Sequence, residues 1–324
     1  MLYAGIDEAG YGPMLGPLCA GVSVFEIDDT EDLPCLWRSL RSVVARSRRD
    51  TRRGRIAIDD SKNLKGAGAS KHPLTHLERG VLLFASVADR QSDWIDDLND
   101  DVFFNAMGIE PPNRKWYDSS TMLPLGSDTG LFRIDRSRLA RAMESAAVRC
   151  CHVAAAAVPA REFNARVAAS GSKAIVNWEL MISLAETCWR RASGRRLRLA
   201  VDRHGGRTRY LDDLRAAWPQ ATRQVLQETD TESRYVLTLE GRGPLDISFS
   251  AGADADHLPV ALASMTAKYV RELMMIRLNR FFASHMPELK PTAGYVEDGR
   301  RFLAEVQPVI QTADLLESDL IRSC

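Results

Sequence analysis

The sequence predicts an α/β fold in which short strands alternate with helices in layers. Apolar runs of strand length open the chain at residues 2–7 and 18–25, and another lies at 197–201. Apolar residues recur at helical spacing over 175–191 and again over about 259–284, where Pro259 suits a first helical turn. Strands that alternate with helices in this way indicate a layered α/β domain.

The first third of the chain predicts two strands, a helix and a less regular segment. The runs 2–7 and 18–25 are joined by a turn rich in glycine and proline, as neighbouring strands are. Residues 33–45 carry leucine and valine at helical spacing, which predicts a helix. A short apolar run at 55–58 leads into the acidic residues Asp59 and Asp60.

From about residue 66 to residue 134 the periodicity weakens. This segment mixes glycine, proline and acidic residues with short apolar runs and the aromatic residues Trp94 and Trp116. We interpret it as an insertion with its own small core, or as a long excursion over the surface, since so long a loop without structure is unusual.

Periodicity returns beyond this insertion. We expect helices at 136–148, 160–169 and 175–191, and strands at 151–158, 197–201, 235–239 and 246–249. The longest helix covers about 259–284. The whole chain, 1–324, is predicted to be one domain, interrupted by the insertion at about 66–134 and followed by a helical C-terminal extension at about 286–324.

The composition, 45% hydrophobic and 27% charged, is typical of globular proteins. No apolar run approaches the roughly 20 residues that cross a bilayer, and the N-terminus lacks the pattern of a signal segment. We therefore expect a cytoplasmic protein without a membrane partner, and a monomer. The six cysteines lack the spacing of zinc ligands and are interpreted as mostly buried free thiols.

The formal net charge is zero, with 43 basic and 43 acidic residues. A non-specific nucleic-acid binder usually carries a basic excess, so the total argues mildly against one. The arginines are clustered, however, at 46–55 and at 190–198. Each cluster is either a local basic face or an ordinary solvated surface, and the sequence leaves both interpretations open.

Four carboxylates lie where the chain changes direction. Asp7 and Glu8 close the first strand, Asp202 closes the strand at 197–201, and Asp254 precedes the longest helix. Functional groups in α/β sheets gather at strand ends and adjoining helix N-termini, so three separate segments could bring these acids into one pocket.

Clustered carboxylates indicate a site for divalent cations, because without one they would repel each other. Magnesium and manganese prefer oxygen ligands, and two such ions about 4 Å apart can promote attack on an anionic phosphodiester. An alternative interpretation is that each acid is a turn former or helix cap. Asp254 in particular could cap the long helix, and Asp256 competes with it as the fourth ligand.

Five motifs resemble those of the ribonuclease HII family, the type 2 ribonucleases H, and occur in that family's order. They are the run GIDEAGYGPMLGP from Gly5, the run DSKNL from Asp60, the run LAVD closing at Asp202, Asp254 ten residues before Ser264 with Ala267-Lys268 following, and Gly294-Tyr295 before a short helix. Together they cover most of the chain outside residues 66–134.

The resemblance implies a ribonuclease H-like fold, with a central mixed β-sheet flanked by helices, and cleavage of RNA in RNA–DNA hybrids. It implies that the catalytic residues Asp7, Glu8, Asp202 and Asp254 bind two Mg²⁺ or Mn²⁺ ions in the presence of substrate. The substrate would be a hybrid, or DNA containing ribonucleotides. The residues expected to contact it are Gly10, Tyr11, Gly12, Ser61, Lys62, Lys268 and Tyr295.

The chain departs from the family's pattern in its first turn, where Tyr11 replaces the usual arginine between two glycines. A guanidinium that could bind phosphate in a bidentate manner is lost, so preference for a single embedded ribonucleotide over long hybrids stays open. Our leading hypothesis is a metal-dependent endonuclease that acts by a two-metal mechanism. The alternative is a weak or inactive nucleic-acid-binding protein that retains the fold.

Overall fold

The computed structural model describes residues 1–64, 72–88 and 98–323. Its strands are β1 (Leu2–Ala9), β2 (Leu18–Glu26), β3 (Val44–Ala45), β4 (Ile56–Ala57), β5 (Arg149–Val158), β6 (Leu197–Asp202), β7 (Thr222–Glu228), β8 (Glu232–Thr238) and β9 (Leu245–Ser250). Its helices are α1 (Leu36–Ser39), α2 (Ser61–Leu64), α3 (Thr75–Ala88), α4 (Asp100–Ala106), α5 (Thr129–Ser145), α6 (Ala160–Ser170), α7 (Lys173–Ala192), α8 (Leu211–Ala217), α9 (Ala253–Asp256), α10 (Leu258–His285) and α11 (Val296–Thr312).

Seven strands form one mixed sheet in the order β5-β2-β1-β6-β9-β8-β7. The pairs β1–β6 and β6–β9 are parallel, and the other neighbours are antiparallel. One face packs in a hydrophobic cluster with α3, α10 and α11, and the other packs in a second cluster with α6, α7 and α8. The predicted α/β fold with a central mixed sheet flanked by helices is therefore confirmed.

Helix α10 lies directly on β1 and β2, and glycine makes this approach possible. A Cβ atom on Gly5 would lie 2.2 Å from the backbone nitrogen of Val260, and one on Gly21 would lie 2.1 Å from the carbonyl oxygen of Ala263. Real Cβ atoms do not approach so closely, so any larger residue would push the helix off the sheet. This contact fixes α10 against the strand that ends in Asp7 and Glu8.

The helix predicted over 33–45 is wrong except for one short turn. Only α1, Leu36–Ser39, is helical, and the chain then forms β3, which pairs with β4. The indole of Trp37 donates a hydrogen bond to the Ile58 carbonyl at 2.9 Å, which holds this segment against β4. The helix predicted at 136–148 begins earlier, at Thr129, because the Asp128 side chain caps it.

The described part of the 66–134 segment packs into the same hydrophobic cluster as α10 rather than into a core of its own. The Phe103 and Tyr269 rings lie 5.2 Å apart in an edge-to-face contact, and buried Asp100 pairs with buried Arg277 of α10. Trp94 lies outside the described residues. These contacts join the segment to the helix that faces the acidic residues.

Among the described cysteines, Cys19, Cys150 and Cys188 are buried free thiols as predicted, whereas Cys35 and Cys151 are partly exposed. Cys324 lies outside the described residues. None of the helices in the described ranges has the length and apolar character that a transmembrane span requires.

Candidate active site

Asp7 and Glu8 end β1 beside the end of β6, because these two strands run parallel. Asp7 is only 9% exposed. The Glu8 amide donates a 2.7 Å hydrogen bond to Oδ1 of Asp7, and the Ser264 hydroxyl of α10 also bonds the Asp7 carboxylate. The Ser264 oxygen in turn lies 3.2 Å from Oγ of Ser61. Residues from three separate segments therefore hold Asp7 in place.

Asp202 ends β6 and connects to the turn that carries Asp254. The Ala253 amide donates a 3.1 Å hydrogen bond to Oδ1 of Asp202, and the Gly252 and Arg203 amides also bond this carboxylate. Asp254 is half-buried in α9. The end of β1, the end of β6 and the start of α9 therefore lie next to one another.

Asp202 lies close enough to Asp7, Glu8 and Asp254 to repel each of them. Burial and the charge of Glu8 raise the pKa of Asp7 well above its ordinary value. Burial and the charge of Asp202 raise the pKa of Glu8. Burial raises the pKa of Asp202. Burial raises the pKa of Asp254, and the charges of Asp60 and Asp202 raise it further.

Few positive charges compensate this cluster. In the described chain Asp7, Asp202 and Asp254 form no ion pair, and Glu8 has only the His204 ring at 4.0 Å. Burial lowers the pKa of His204 to about 4, so this ring is neutral at neutral pH. Lys62 is exposed, and its charge lowers the pKa values of Glu8, Asp202 and Asp254. The predicted contact of Lys62 with substrate phosphate stays a prediction.

The chemistry of these donors suits a hard divalent cation. The side chains offer carboxylate oxygens, which Mg²⁺ and Mn²⁺ prefer, and buried Asp7 has no cationic partner of its own in the described residues. No group of three or more His, Cys, Asp or Glu side chains among these residues is already gathered to hold a metal. A cation would therefore have to draw together carboxylates that otherwise repel each other.

Asp254 is not the N-terminal cap of α10 in the structure. Helix α10 begins after His257, which makes no side-chain capping bond, and Asp254 lies inside α9. Asp256 is exposed beside His257. Of the two competing aspartates, Asp254 is the one within electrostatic range of Asp202.

The glycine turn after β1 is held by two buried arginines that sequence reasoning missed. Arg271 of α10 donates hydrogen bonds to the carbonyl oxygens of Leu15 at 3.1 Å and Ala293 at 2.9 Å. Arg322 donates to the carbonyl oxygens of Gly10 and Pro13. The sequence signal for Arg271 was the presence of an arginine inside the apolar pattern of 259–284. No local pattern in the sequence distinguished Arg322.

Gly10 and the Gly294-Tyr295 segment are fixed to this same turn. Gly10 has φ +88°, and a Cβ there would lie 2.7 Å from Arg271 Cδ, so only glycine fits. The amides of Met14 and Leu15 donate to the Gly294 carbonyl at 2.9 and 3.1 Å. Tyr295 follows immediately and is 53% exposed. The turn residues and Tyr295 thus belong to one connected surface, with Gly12 exposed upon it.

A cleft of about 310 Å³ opens beside Glu8. Its lining includes Tyr11, Asn177, Trp178, His204 and Arg207, and the Lys173 ammonium lies 5.0 Å from the centre of the Tyr11 ring. Sequence reasoning had not selected any of these except Tyr11. The cleft combines aromatic rings with cationic groups, which suits a sugar, base or phosphate next to the carboxylates.

Lys268 differs in environment from Lys62. Its ammonium forms a 2.9 Å ion pair with Glu272 one turn further along α10, and its side chain is only 12% exposed. Its charge is therefore already compensated, and the described contacts do not direct it to the acidic residues. Its predicted contact with phosphate stays a prediction.

We predict that the contribution of Asp7 to stability falls as pH rises when divalent cations are removed. Because the folded state raises the pKa of Asp7, it binds this proton more tightly than the unfolded chain does. The contribution is fully present below about pH 4 and is lost as pH rises through the raised pKa. The difference in Tm between wild type and Asp7→Asn, measured in EDTA, should therefore fall with increasing pH. A difference that does not change with pH would contradict this account.

No family model matches the chain, and no curated protein matches it. Solved structures do resemble it. A ribonuclease HII from Archaeoglobus fulgidus, solved in complex with PCNA, has 16% identity and a TM-score of 0.43, covering 99% of this chain and 94% of its own. Ribonuclease H2 from Pyrococcus horikoshii OT3 has 16% identity and a TM-score of 0.42, covering 99% and 92%.

A third solved structure, Bst-RNase HIII in complex with Mn²⁺, has 15% identity and a TM-score of 0.38, with coverage of 99% of this chain and 66% of that one. At these identities and scores the likeness carries no argument about activity, substrate or metal. Those properties depend on the residues of this chain.

Proposed function

We propose that this protein is a ribonuclease H-type endonuclease that hydrolyses the RNA strand of RNA–DNA hybrids with the help of divalent cations. The observation that supports it most is the meeting of Asp7, Glu8, Asp202 and Asp254 at one edge of the sheet. They come from three separate segments, and the charge of Asp202 raises the pKa values of the other three. Such a cluster is costly to a fold unless a cation binds there.

In this proposal the four carboxylates hold two Mg²⁺ or Mn²⁺ ions. When bound, such ions supply activation of water and stabilisation of the leaving oxygen in phosphodiester hydrolysis. The chain's own contribution is to position the ligands. Ser264 and the Glu8 amide orient Asp7, and the amides at the start of α9 orient Asp202.

The substrate would lie across the glycine turn and the cleft beside Glu8. Gly10, Tyr11 and Gly12 would approach its sugar-phosphate backbone, and exposed Tyr295, fixed to the same turn, would contact the sugar beside the cut. Exposed Lys62 would contact its phosphates, and the neighbouring Ser61, buried against Ser264, would position the loop that carries Lys62. A 2′-hydroxyl is the group that distinguishes RNA from DNA at such a contact.

The test is a cleavage assay with three 5′-labelled duplexes: an RNA–DNA hybrid, DNA with one embedded ribonucleotide, and DNA alone. With Mg²⁺ or Mn²⁺ we expect the RNA strand of the hybrid to be cut and the DNA duplex to stay intact, with no cutting in EDTA. Failure to cut either ribonucleotide-containing duplex with either metal would overturn the enzyme proposal. Binding without cutting would favour the alternative, a nucleic-acid-binding protein that retains the fold.

Asp254 and Asp256 give a matched pair for the identity of the fourth ligand. Asp254→Asn should lower the cleavage rate by about a hundredfold or more, the scale of losing one electrostatic contributor to catalysis. Asp256→Asn should leave the rate within about twofold, because its side chain is exposed and lies outside the cluster. Single-turnover rates on the hybrid would measure both. Equal losses, or a larger loss for Asp256→Asn, would reverse the assignment.

A further inference from the structure

The two arginine clusters differ in how their charges are compensated. In the cluster at 190–198, four guanidinium groups form ion pairs: Arg190 with Glu186 at 3.3 Å, Arg195 with Glu26 at 3.0 Å, Arg196 with Asp29 at 3.2 Å and Arg198 with Asp246 at 3.1 Å. Glu186, Glu26 and Asp246 are each shared with a further arginine, namely Arg242, Arg149 and Arg234. Each of the four guanidinium groups nevertheless has a carboxylate partner, with which a bound phosphate would have to compete.

The other basic region forms a shallow depression of about 330 Å³. Four arginines line it, and we call them the arginine shelf: Arg38, Arg41, Arg46 and Arg55. Within residues 1–64, 72–88 and 98–323 none of the four forms an ion pair, and Asp50 is the single acidic residue among those that line the depression. The shelf therefore presents uncompensated positive charge to solvent.

The arginine shelf is joined to the acidic residues. Arg46 donates a 3.0 Å hydrogen bond to the carbonyl oxygen of Ala255, the residue after Asp254. Its guanidinium also lies 4.3 Å from the centre of the Trp37 ring, and Trp37 is anchored to Ile58, just before the Asp-Ser-Lys loop. The shelf is thus held in a fixed position beside the Asp254 turn.

We propose that the arginine shelf binds the phosphate backbone of a nucleic-acid duplex whose scissile linkage lies at the carboxylates. This inference rests on the proposed function and extends it to a second contact region. Guanidinium groups bind phosphate in a bidentate manner, and those without an acidic partner gain the most free energy from this binding. The net charge of zero does not oppose binding, because the compensation is uneven: one cluster is paired and the shelf is not.

The first test compares two triple variants of equal charge change. Arg38→Gln/Arg41→Gln/Arg55→Gln removes shelf charge and leaves Arg46 on Ala255, whereas Arg190→Gln/Arg195→Gln/Arg196→Gln is the control in the paired cluster. The Kd for an RNA–DNA hybrid is measured in EDTA, where no cutting occurs, over a series of KCl concentrations.

The shelf variant should bind roughly tenfold or more weakly, and the slope of log K against log[KCl] should become shallower by about 3, one for each phosphate contact. The control variant should stay within about twofold of wild type. Unchanged affinity and slope in the shelf variant, or equal losses in both variants, would overturn the proposal.

Cys35 gives a second measurement on the wild-type protein. It lines the same depression. Burial opposes ionisation of its thiol, but hydrogen bonds and charge from Arg38 and Arg46 outweigh this and lower its pKa. Alkylation of Cys35 should therefore slow when hybrid binds, whereas Cys151, beside Glu26 in the paired region, should keep its own rate. Mass spectrometry of the peptides that contain Cys35 and Cys151 measures both alkylation rates.

The outcomes separate the two proposals. If wild type cuts the hybrid but Cys35 alkylation does not slow, the shelf proposal fails alone. If Cys35 is protected but nothing is cut, the hydrolysis proposal fails alone. Protection by polyglutamate equal to that by hybrid would indicate an acidic protein partner and would overturn the nucleic-acid assignment, and no binding of hybrid at all would overturn both proposals.

Discussion

Replacing Asp7 with asparagine is expected to abolish cleavage of the RNA strand while raising the thermal stability of the protein. Asp7 is nearly inaccessible to solvent and feels the charges of both Glu8 and Asp202. Asparagine keeps its shape but removes the charge that a cation needs, so the rate should fall by about three orders of magnitude or more. Single-turnover cleavage of the hybrid with Mg²⁺ or Mn²⁺ measures this.

The same substitution is expected to raise the stability of the protein, and the cause is again the removal of the Asp7 charge. Ionisation of Asp7 in the folded state is opposed by burial and by the charge of Glu8, which the unfolded chain does not experience. Asparagine relieves this cost, so Tm in EDTA should increase. A variant that retains more than about a tenth of the wild-type rate would contradict the role of Asp7, and a large loss of Tm would mean that activity was lost through unfolding.

Replacing Arg277 with methionine is expected to cause the largest loss of stability from a single change away from the carboxylates. Arg277 and Asp100 are almost completely buried. The Nε atom of Arg277 donates to Asp100 at 2.7 Å and its Nη1 atom to the Tyr117 carbonyl at 2.8 Å. Removing the arginine leaves a buried carboxylate uncompensated, which costs about 3–5 kcal/mol in the free energy of unfolding.

Urea denaturation measures this loss, and two variants control for it. Arg280→Met lies nearly one turn further along α10, where Arg280 bonds exposed loop carbonyls, and should cost less than about 1 kcal/mol. The double variant Arg277→Met/Asp100→Leu should recover much of the loss, because no unpaired charge remains. A loss below about 1 kcal/mol in Arg277→Met itself would show that the pair does not join α4 to α10 as proposed.

The elements that could be predicted from the sequence are those with a strong local pattern. Helix α10 has apolar residues along its whole length and Pro259 in its first turn, and the observed helix agrees with the prediction within a residue or two. Strand β6 was visible because it is buried on both faces between two clusters. The positions of Asp7 and Asp202 at strand ends followed from these patterns, whereas the parallel pairing that sets β1 beside β6 is seen only in the fold.

The features that could not be predicted depend on contacts between distant parts of the chain. Strand β7 is an exposed edge strand of polar sequence, so it has no apolar alternation to detect. The segment at 33–45 has helical spacing, but pairing of β3 with β4 overrides it. Arg322 meets Gly10 across 312 positions of sequence, and nothing in its local pattern indicates that contact.

The choice between Asp254 and Asp256 also required the fold. Both precede α10 in similar local sequence, and either could have been its cap. The structure separates them by environment, because Asp254 lies half-buried near Asp202 and Asp60 while Asp256 is exposed. Burial and neighbouring charge, rather than spacing, make Asp254 the candidate ligand.

The most direct test of the central claim, that these carboxylates form one divalent-cation site, is a calorimetric titration with Mn²⁺ in the presence of hybrid. The claim predicts saturable binding of two ions to the wild-type protein. Asp7→Asn should strongly weaken this binding, and Asp256→Asn should leave it unchanged. Binding that is absent in the wild type, or that persists undiminished in Asp7→Asn, would contradict it.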